Sequence, residues 1–334
     1  MELFKRYILP RLIQWLVVIV VGITVVFLVP RLSPTDPVQT TLSSMSSLGM
    51  ANPEAIMQMK EVLMDLYGLR GTLGQQYLRF WQHLLKGDLG PSLVMFPTPV
   101  ISVIATSMPW TIGLMLVSTI IAWLLGITLG TLTGYFSEKR WAKVVDAIIM
   151  CIYPIPYYIM ALLLLFLFAY TFPIFPFSGA VGIGIRPGFN WAFISSVIRH
   201  GFLPALSLIL ITTGWRFISQ RALVTSVIGS DHVQYAEIAA LPRKKIMFKY
   251  IFRDTLLPQS TDLALSLGAI FGGALITEFV FSYPGLGQVL YSAILQGDFN
   301  IIVGISIFSI IGIATGALVI DLLYPLLDPR VRYH

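Results

Sequence analysis

The sequence predicts an all-α integral membrane protein with six transmembrane helices and both termini in the cytoplasm. Three observations carry that expectation. Only 11% of the 334 residues are Asp, Glu, Lys or Arg, and 56% are hydrophobic. A soluble domain carries about 25% charged residues, so this chain cannot cover a water-facing surface alone and lipid must do part of the solvating. Six apolar stretches approach the roughly 20 residues that a helical span needs. Between them the basic residues fall in short clusters, the pattern that cytoplasmic loops show.

The stretches run from about Leu12 to Val29, Trp110 to Tyr135, Val144 to Tyr170, Phe202 to Ile218, Leu256 to Phe281 and Ile301 to Leu323. The first is read as a retained span, because no small-residue cleavage site follows it. The fourth is the weakest, since Pro204, Thr212 and Thr213 interrupt it. Lys5, Arg6 and Arg11 precede the first. Lys139, Arg140 and Lys143 join the second to the third. Arg216, Arg221, Arg243, Lys244, Lys245, Lys249 and Arg253 join the fourth to the fifth, and Arg330 and Arg332 follow the sixth. The link from Ser282 to Asn300 has no Lys or Arg. This asymmetry sets the orientation.

Gly126, Gly130 and Gly134 repeat a four-residue spacing in the second span, as do Gly268 and Gly272 in the fifth and Gly312 and Gly316 in the sixth. Such spacing puts small residues on one helix face and lets backbones approach, so the spans form a bundle. The outer loop, about Arg31 to Met108, carries two amphipathic stretches. Asn52-Pro53 starts one, with Ile56, Met59, Leu63, Leu66 and Tyr67 on one face. The other, Gln75 to Lys86, places Leu78, Trp81 and Leu85 near one side. Both are expected to lie on the membrane surface or the bundle, or to meet an external partner.

Several functions are excluded. The net charge of +6 is not spread over one face, so nucleic acid is not a partner. The lone Cys151 permits no disulfide within the chain, and the four histidines form no ligand pattern, so no metal site is expected. No phosphate-binding loop, nucleophile elbow or His-Glu-x-x-His pair occurs, so no enzyme chemistry is expected. Ionisable groups within spans are few: Asp146, Asp262, Glu278 and Asp321, read as interfacial or packing groups, or as members of a proton relay.

The link between the fourth and fifth spans is long and basic. Ser230 or Asp231 can cap a short helix in which Val233, Ala236, Glu237 and Ala240 share a face, with Tyr235 and Ala239 beside it. Small residues on such a helix suit insertion into a partner's groove. Pro242 turns the chain. Ile246, Tyr250 and Leu257, with Arg243, Lys249 and Arg253, then make an interfacial amphipathic helix whose cations can meet anionic lipid.

This segment resembles the cytoplasmic coupling loop of ABC importer permeases of the dipeptide, oligopeptide and nickel transport family. Ala236, Ile238, Ala240, Leu241 and Leu257-Pro258 occupy the motif positions. Ile238 replaces a small residue, and Ala240 stands where glycine is usual. Further matches are Tyr7-Ile-Leu-Pro-Arg-Leu, Ser33-Pro-Thr-Asp-Pro37, Tyr77 to Trp81, Leu85 to Leu93, Leu203-Pro204 with Arg221, Glu278 to Gly287, and Asp321 to Arg330.

The resemblance implies a type I importer permease bundle and one half of a translocation pathway for peptides or a similar oligomeric solute such as an oligosaccharide. It implies a second homologous permease subunit, two cytoplasmic ATPase subunits holding ATP and Mg, an extracytoplasmic substrate-binding protein, and surrounding lipid. Tyr235, Ala236, Glu237, Ile238, Ala239, Ala240 and Leu241 are then the ATPase contact. The path is expected between spans, with Tyr153, Pro154, Pro156, Ser266, Gly272, Gly273 and Thr277 as lining candidates. Residues 1–30 form the first span, 31–108 the outer loop, and 109–334 the permease core with its coupling loop at 219–258. The alternative is a secondary transporter without an ATPase, which predicts inverted repeats and acids at mid-membrane.

Overall fold

The computed structural model describes residues 7–32, 58, 60–62, 64, 65 and 68–327, the last five by backbone alone. The helix expected from Pro53 lies mostly outside these residues, as do Ser33 to Pro37 and the stretch from Asp328 onward. The described chain is helical. Its elements are α1 (Leu9–Leu32), α2 (Leu73–Leu85), α3 (Val100–Tyr135), α4 (Arg140–Ile152) and α5 (Tyr157–Leu165), which runs into a π turn over Phe166–Thr171. Then come α6 (Trp191–Ile228), α7 (Asp231–Ile238), α8 (Arg243–Ile246) with a π turn at Met247–Ile251, and α9 (Phe252–Ala269) with a 3₁₀ turn at Ile270–Gly272. The last are α10 (Leu275–Val280), α11 (Leu286–Gln296) and α12 (Phe299–Leu327).

Among the described residues, four helices are long and apolar enough to cross a membrane: α1, α3, α6 and α12. A fifth results if α4 and α5 count as one span. They meet at 96°, where Pro154 and Pro156 remove backbone donors from the expected third span. Two helices extend beyond the expected spans. α3 begins ten residues early at Val100, and α6 runs from Trp191 to Ile228 rather than from Phe202 to Ile218. Arg199 and His200 interrupt its apolar run, yet both are hydrogen-bonded, Arg199 to the Ile174 carbonyl in the preceding loop and His200 to the Ser196 carbonyl one turn back. The expected fifth span breaks at Ile270–Ala274, where Gly273 takes φ +71°. Only glycine enters that region freely.

All but one of the glycines in the four-residue repeats lie on contact faces of the bundle; Gly272 is exposed in the 3₁₀ turn. α3 and α6 run parallel, with Gly126 against Arg216, Gly130 against Gln220 and Gly134 against Val224. A Cβ at Gly130 would lie 2.8 Å from the Phe217 carbonyl oxygen, so no larger residue fits. In the same way Gly268 of α9 meets Gly316 of α12, and Gly312 meets Phe271. These two helices run antiparallel. α1 also lies antiparallel to α12: Trp15 donates to Thr315 Oγ1 at 3.2 Å, and Arg11 pairs with Asp321 at 3.0 Å. Tyr7 donates to the Asp321 carbonyl. Two motifs from opposite ends of the sequence therefore meet, and Asp321 is an ion-pair partner.

α2 packs on the outside of α1 and α12. Thr72 and Gln75 form a reciprocal capping box at its start. Its inward face is Gln76, Tyr77, Phe80, Trp81 and Leu84, whereas Leu78 and Leu85 are exposed. The expected face was thus rotated. Gln76 turns inward because it accepts from Arg31 at 2.9 Å and donates to the carbonyls of Leu69 and Gly71. Tyr77 shares a 2.8 Å hydrogen bond with Thr24.

Candidate functional site

α7 and α8 form a compact cap on one end of the bundle. Val233 and Ala236 are buried against Val224, Ile246 and Ile251. Ala236 therefore faces the protein's own interior. The outward face carries Gln234, Tyr235, Glu237, Ile238 and Ala239, with Tyr235 71% and Ile238 80% exposed. A tyrosine and an isoleucine three residues apart share one side of a helix. His232 Nε2 lies 2.8 Å from Asp254 Oδ2, which ties α7 to the start of α9.

The helix ends in a Schellman turn. The Leu241 N–H donates to the Ala236 carbonyl at 3.2 Å, and the Ala240 N–H donates to that of Glu237 at 2.9 Å. Ala240 takes φ +53°, the left-handed region that glycine would occupy. Alanine therefore keeps the glycine geometry, at a cost of about 1–2 kcal/mol for an L-residue. Leu241 packs back onto the Val233–Ala236 cluster, the apolar contact that accompanies such turns. Pro242 then starts α8. Arg243, Lys244, Lys245, Lys249 and Arg253 are exposed, while Ile246, Met247 and Ile251 point inward.

The path candidates fall in three places. Tyr153 and Pro154 sit at the 96° bend, where Tyr153 packs on Gly214 of α6; Pro156 ends the bend. Ser266 accepts from Arg216 Nη2 at 2.8 Å, and Gly272 is exposed at the end of α9. Gly273 forms the break. Thr277 is fully buried on α10. The α9 break brings Gly273 beside Thr111 and Gly287, but it does not join Tyr153 to that group.

Two buried carboxylates organise the end of the bundle away from α7, and sequence reading assigned neither this role. Glu278 is completely buried and accepts from Thr111 Oγ1 at 2.8 Å, from the Gly287 N–H at 2.7 Å and from the Gln288 N–H at 3.4 Å. It thereby occupies the N-terminus of α11, where free N–H groups favour an anion. Gly285 and Gly287 are needed for this: a Cβ at Gly285 would collide with the Glu278 carboxylate, and one at Gly287 would lie 2.6 Å from Leu275 Cα. Asp298, also fully buried, accepts from Ser92 Oγ at 2.6 Å, Leu93 N–H at 2.9 Å and Val94 N–H at 3.1 Å, and caps α12 through the Ile301 N–H. The Glu278 to Gly287 and Leu85 to Leu93 motifs are each recognisable in sequence. Their partners are distant in the chain, so their roles were not.

A multi-pass helical bundle that holds a short helix pair out at one end is the anatomy of a membrane transport subunit. A family model described as "Binding-protein-dependent transport system inner membrane component" matches residues 124–333, more than half of the chain. The chain belongs to this family, whose members are transport components of the membrane and not enzymes. It is similar to the oligopeptide transport system permease protein AppB of Bacillus subtilis, 29% identical over 319 residues, which cover 94% of this chain and 96% of the relative. It is similar to OppB, the corresponding protein of Haemophilus influenzae, 27% identical over 330 residues, covering 98% and 99%. It is also similar to the dipeptide transport system permease protein DppB of Lactococcus lactis, 27% identical over 331 residues, again covering 98% and 99%.

Proposed function

We propose that this chain is one of two related permease subunits of an ABC importer that carries peptides or a similar oligomeric solute. The chain forms half of the pathway, and ATP with Mg acts on two partner ATPase subunits. An extracytoplasmic binding protein delivers the solute. The names of the relatives, oligopeptide and dipeptide permeases, support the substrate class.

The observation that carries this reading is α7. Its inner face is fixed to the bundle, its outer face presents Tyr235 and Ile238, and its end is held by a defined turn. Tyr235 to Leu241 are the ATPase contact on this reading, and Ala236 supports it from behind. Six alternating crossings are supported by the helix directions. α3 and α6 are parallel, and α9 is antiparallel to α6 and α12, as the second, fourth, fifth and sixth spans must be. The pairing of α1 with α12 through Arg11 and Asp321 supports both ends lying on one side, and the clustered cations support the cytoplasm as that side. The division into residues 1–30, 31–108 and 109–334 follows from the same scheme.

The test is ATP-dependent uptake of a labelled tripeptide by the complete transporter in proteoliposomes. Uptake is expected, and Ala240→Arg should abolish it while the subunit stays in the membrane. Normal uptake by that variant contradicts the coupling role.

A further inference from the structure

α9 bears a part-exposed carboxylate, Asp262, within the expected fifth span. It lies six residues past Leu256, roughly 9 Å into that span at 1.5 Å per residue, about a third of the way across a ~30 Å hydrocarbon core. Its Oδ2 accepts from Arg216 Nε at 3.2 Å. Arg216 is buried, and its other donors go to the Thr212 carbonyl at 3.2 Å and to Ser266 Oγ at 2.8 Å. The guanidinium thus stands behind, fixed on three sides. The Asp262 side chain keeps 34% of its surface exposed. Pro258, Leu265, Ala269 and Gly272 are exposed on the same face, at helical spacing before and after it. Ionisable side chains within spans are costly against lipid and usually face the bundle interior or a water-filled cavity. Arg216 pairs with one carboxylate oxygen from behind, and the part of Asp262 left open on this otherwise apolar face is best served by water or a polar partner in front of it.

We propose that the α9 face of Pro258, Asp262, Leu265 and Ala269 lines a water-filled path, and that Asp262 is a specificity-determining residue that accepts the ammonium group of a passing solute. This rests on the permease reading and adds the chemistry of the path. Arg216 and Ser266 are positioning residues that hold the carboxylate outward.

The test uses the complete transporter in proteoliposomes, with Leu265→Cys in a Cys151→Ser background and cationic or anionic methanethiosulfonates of similar size. Both reagents should react, the cationic one roughly threefold faster or more, as one charge a few ångströms away in a wet site requires. The preference should reverse toward the anionic reagent in Asp262→Asn, which leaves the Arg216 guanidinium without its carboxylate, and return in Asp262→Glu. With Asp262 intact it should also shrink as salt is raised. An introduced thiol that stays inert to both reagents overturns the proposal, and so does a preference indifferent to both Asp262 and salt. A free tripeptide should protect the introduced thiol better than its N-acetylated form does. Protection by neither, with the charge preference intact, counts against the peptide reading alone.

Discussion

Two turns in this molecule share a backbone and differ in everything around it. α7 ends at Ala240 with φ +53°, and α10 ends at Ser282 with φ +48°. In the first, Leu241 donates to Ala236 and Ala240 to Glu237; in the second, Tyr283 donates to Glu278 and Ser282 to Phe279. Each is followed by a proline, Pro242 and Pro284. Both are Schellman turns, and both place a non-glycine residue where glycine is favoured. The α10 turn is backed by the core, with Glu278 fully buried and Tyr283 packed edge-on against Trp110 at 5.9 Å, while Ser282 itself and Phe279 are exposed. The α7 turn is open, with Tyr235 and Ile238 beside it in solvent. The same device serves as an internal fastener in one place and as a presenting edge in the other. Burial of the neighbours, not the turn itself, decides which.

That difference can be broken at either end. Glu278→Ala leaves the Thr111 hydroxyl and two N–H groups without their acceptor in a dry site. It should destabilise the subunit by on the order of 3 kcal/mol, read as a lowered unfolding temperature in detergent or loss of the folded species by size exclusion. Gly130→Ala probes the glycine contact of α3 with α6. Overpacking there should destabilise by about 1–3 kcal/mol, read by the same assay. The two turns should respond alike to relief of strain: Ala240→Gly and Ser282→Gly should each stabilise by roughly 1 kcal/mol or less, since glycine's gain in the left-handed region is partly offset by its freer unfolded chain. Smallest should be the effect of Tyr235→Ser and Ile238→Ser on stability, within about 0.5 kcal/mol, although both should lose ATP-dependent uptake. A large loss of stability in these exposed variants would mean that α7 is a fastener like α10.

Much of this was legible in the sequence. Hydropathy located the four long apolar helices and the bent α4–α5 pair, because a span must satisfy its backbone internally and face lipid with apolar side chains. The four-residue glycine spacing located the contact faces. The basic loop divided, as expected, into a short helix and an amphipathic one at Pro242. What was hidden depended on distant partners. The inward face of α2 was misread because Gln76 counts as polar, yet Arg31 and two carbonyls satisfy it when buried. The length of α6 was underestimated because Arg199 and His200 break an apolar run but not a helix. Ala236 is small enough to suit a groove, and the groove it fills is the chain's own. The roles of Glu278, Asp298 and Asp262 rest on groups tens to hundreds of positions away, which no local pattern encodes.

The central claim is that the exposed side of α7 is where an ATPase engages this chain. It is tested most directly by site-directed cross-linking in the assembled transporter. A photoreactive residue replacing Ile238 should form a covalent adduct with a cytoplasmic ATPase subunit, whereas one replacing Leu78 of α2 should not. An adduct at both positions, or at neither, would contradict it.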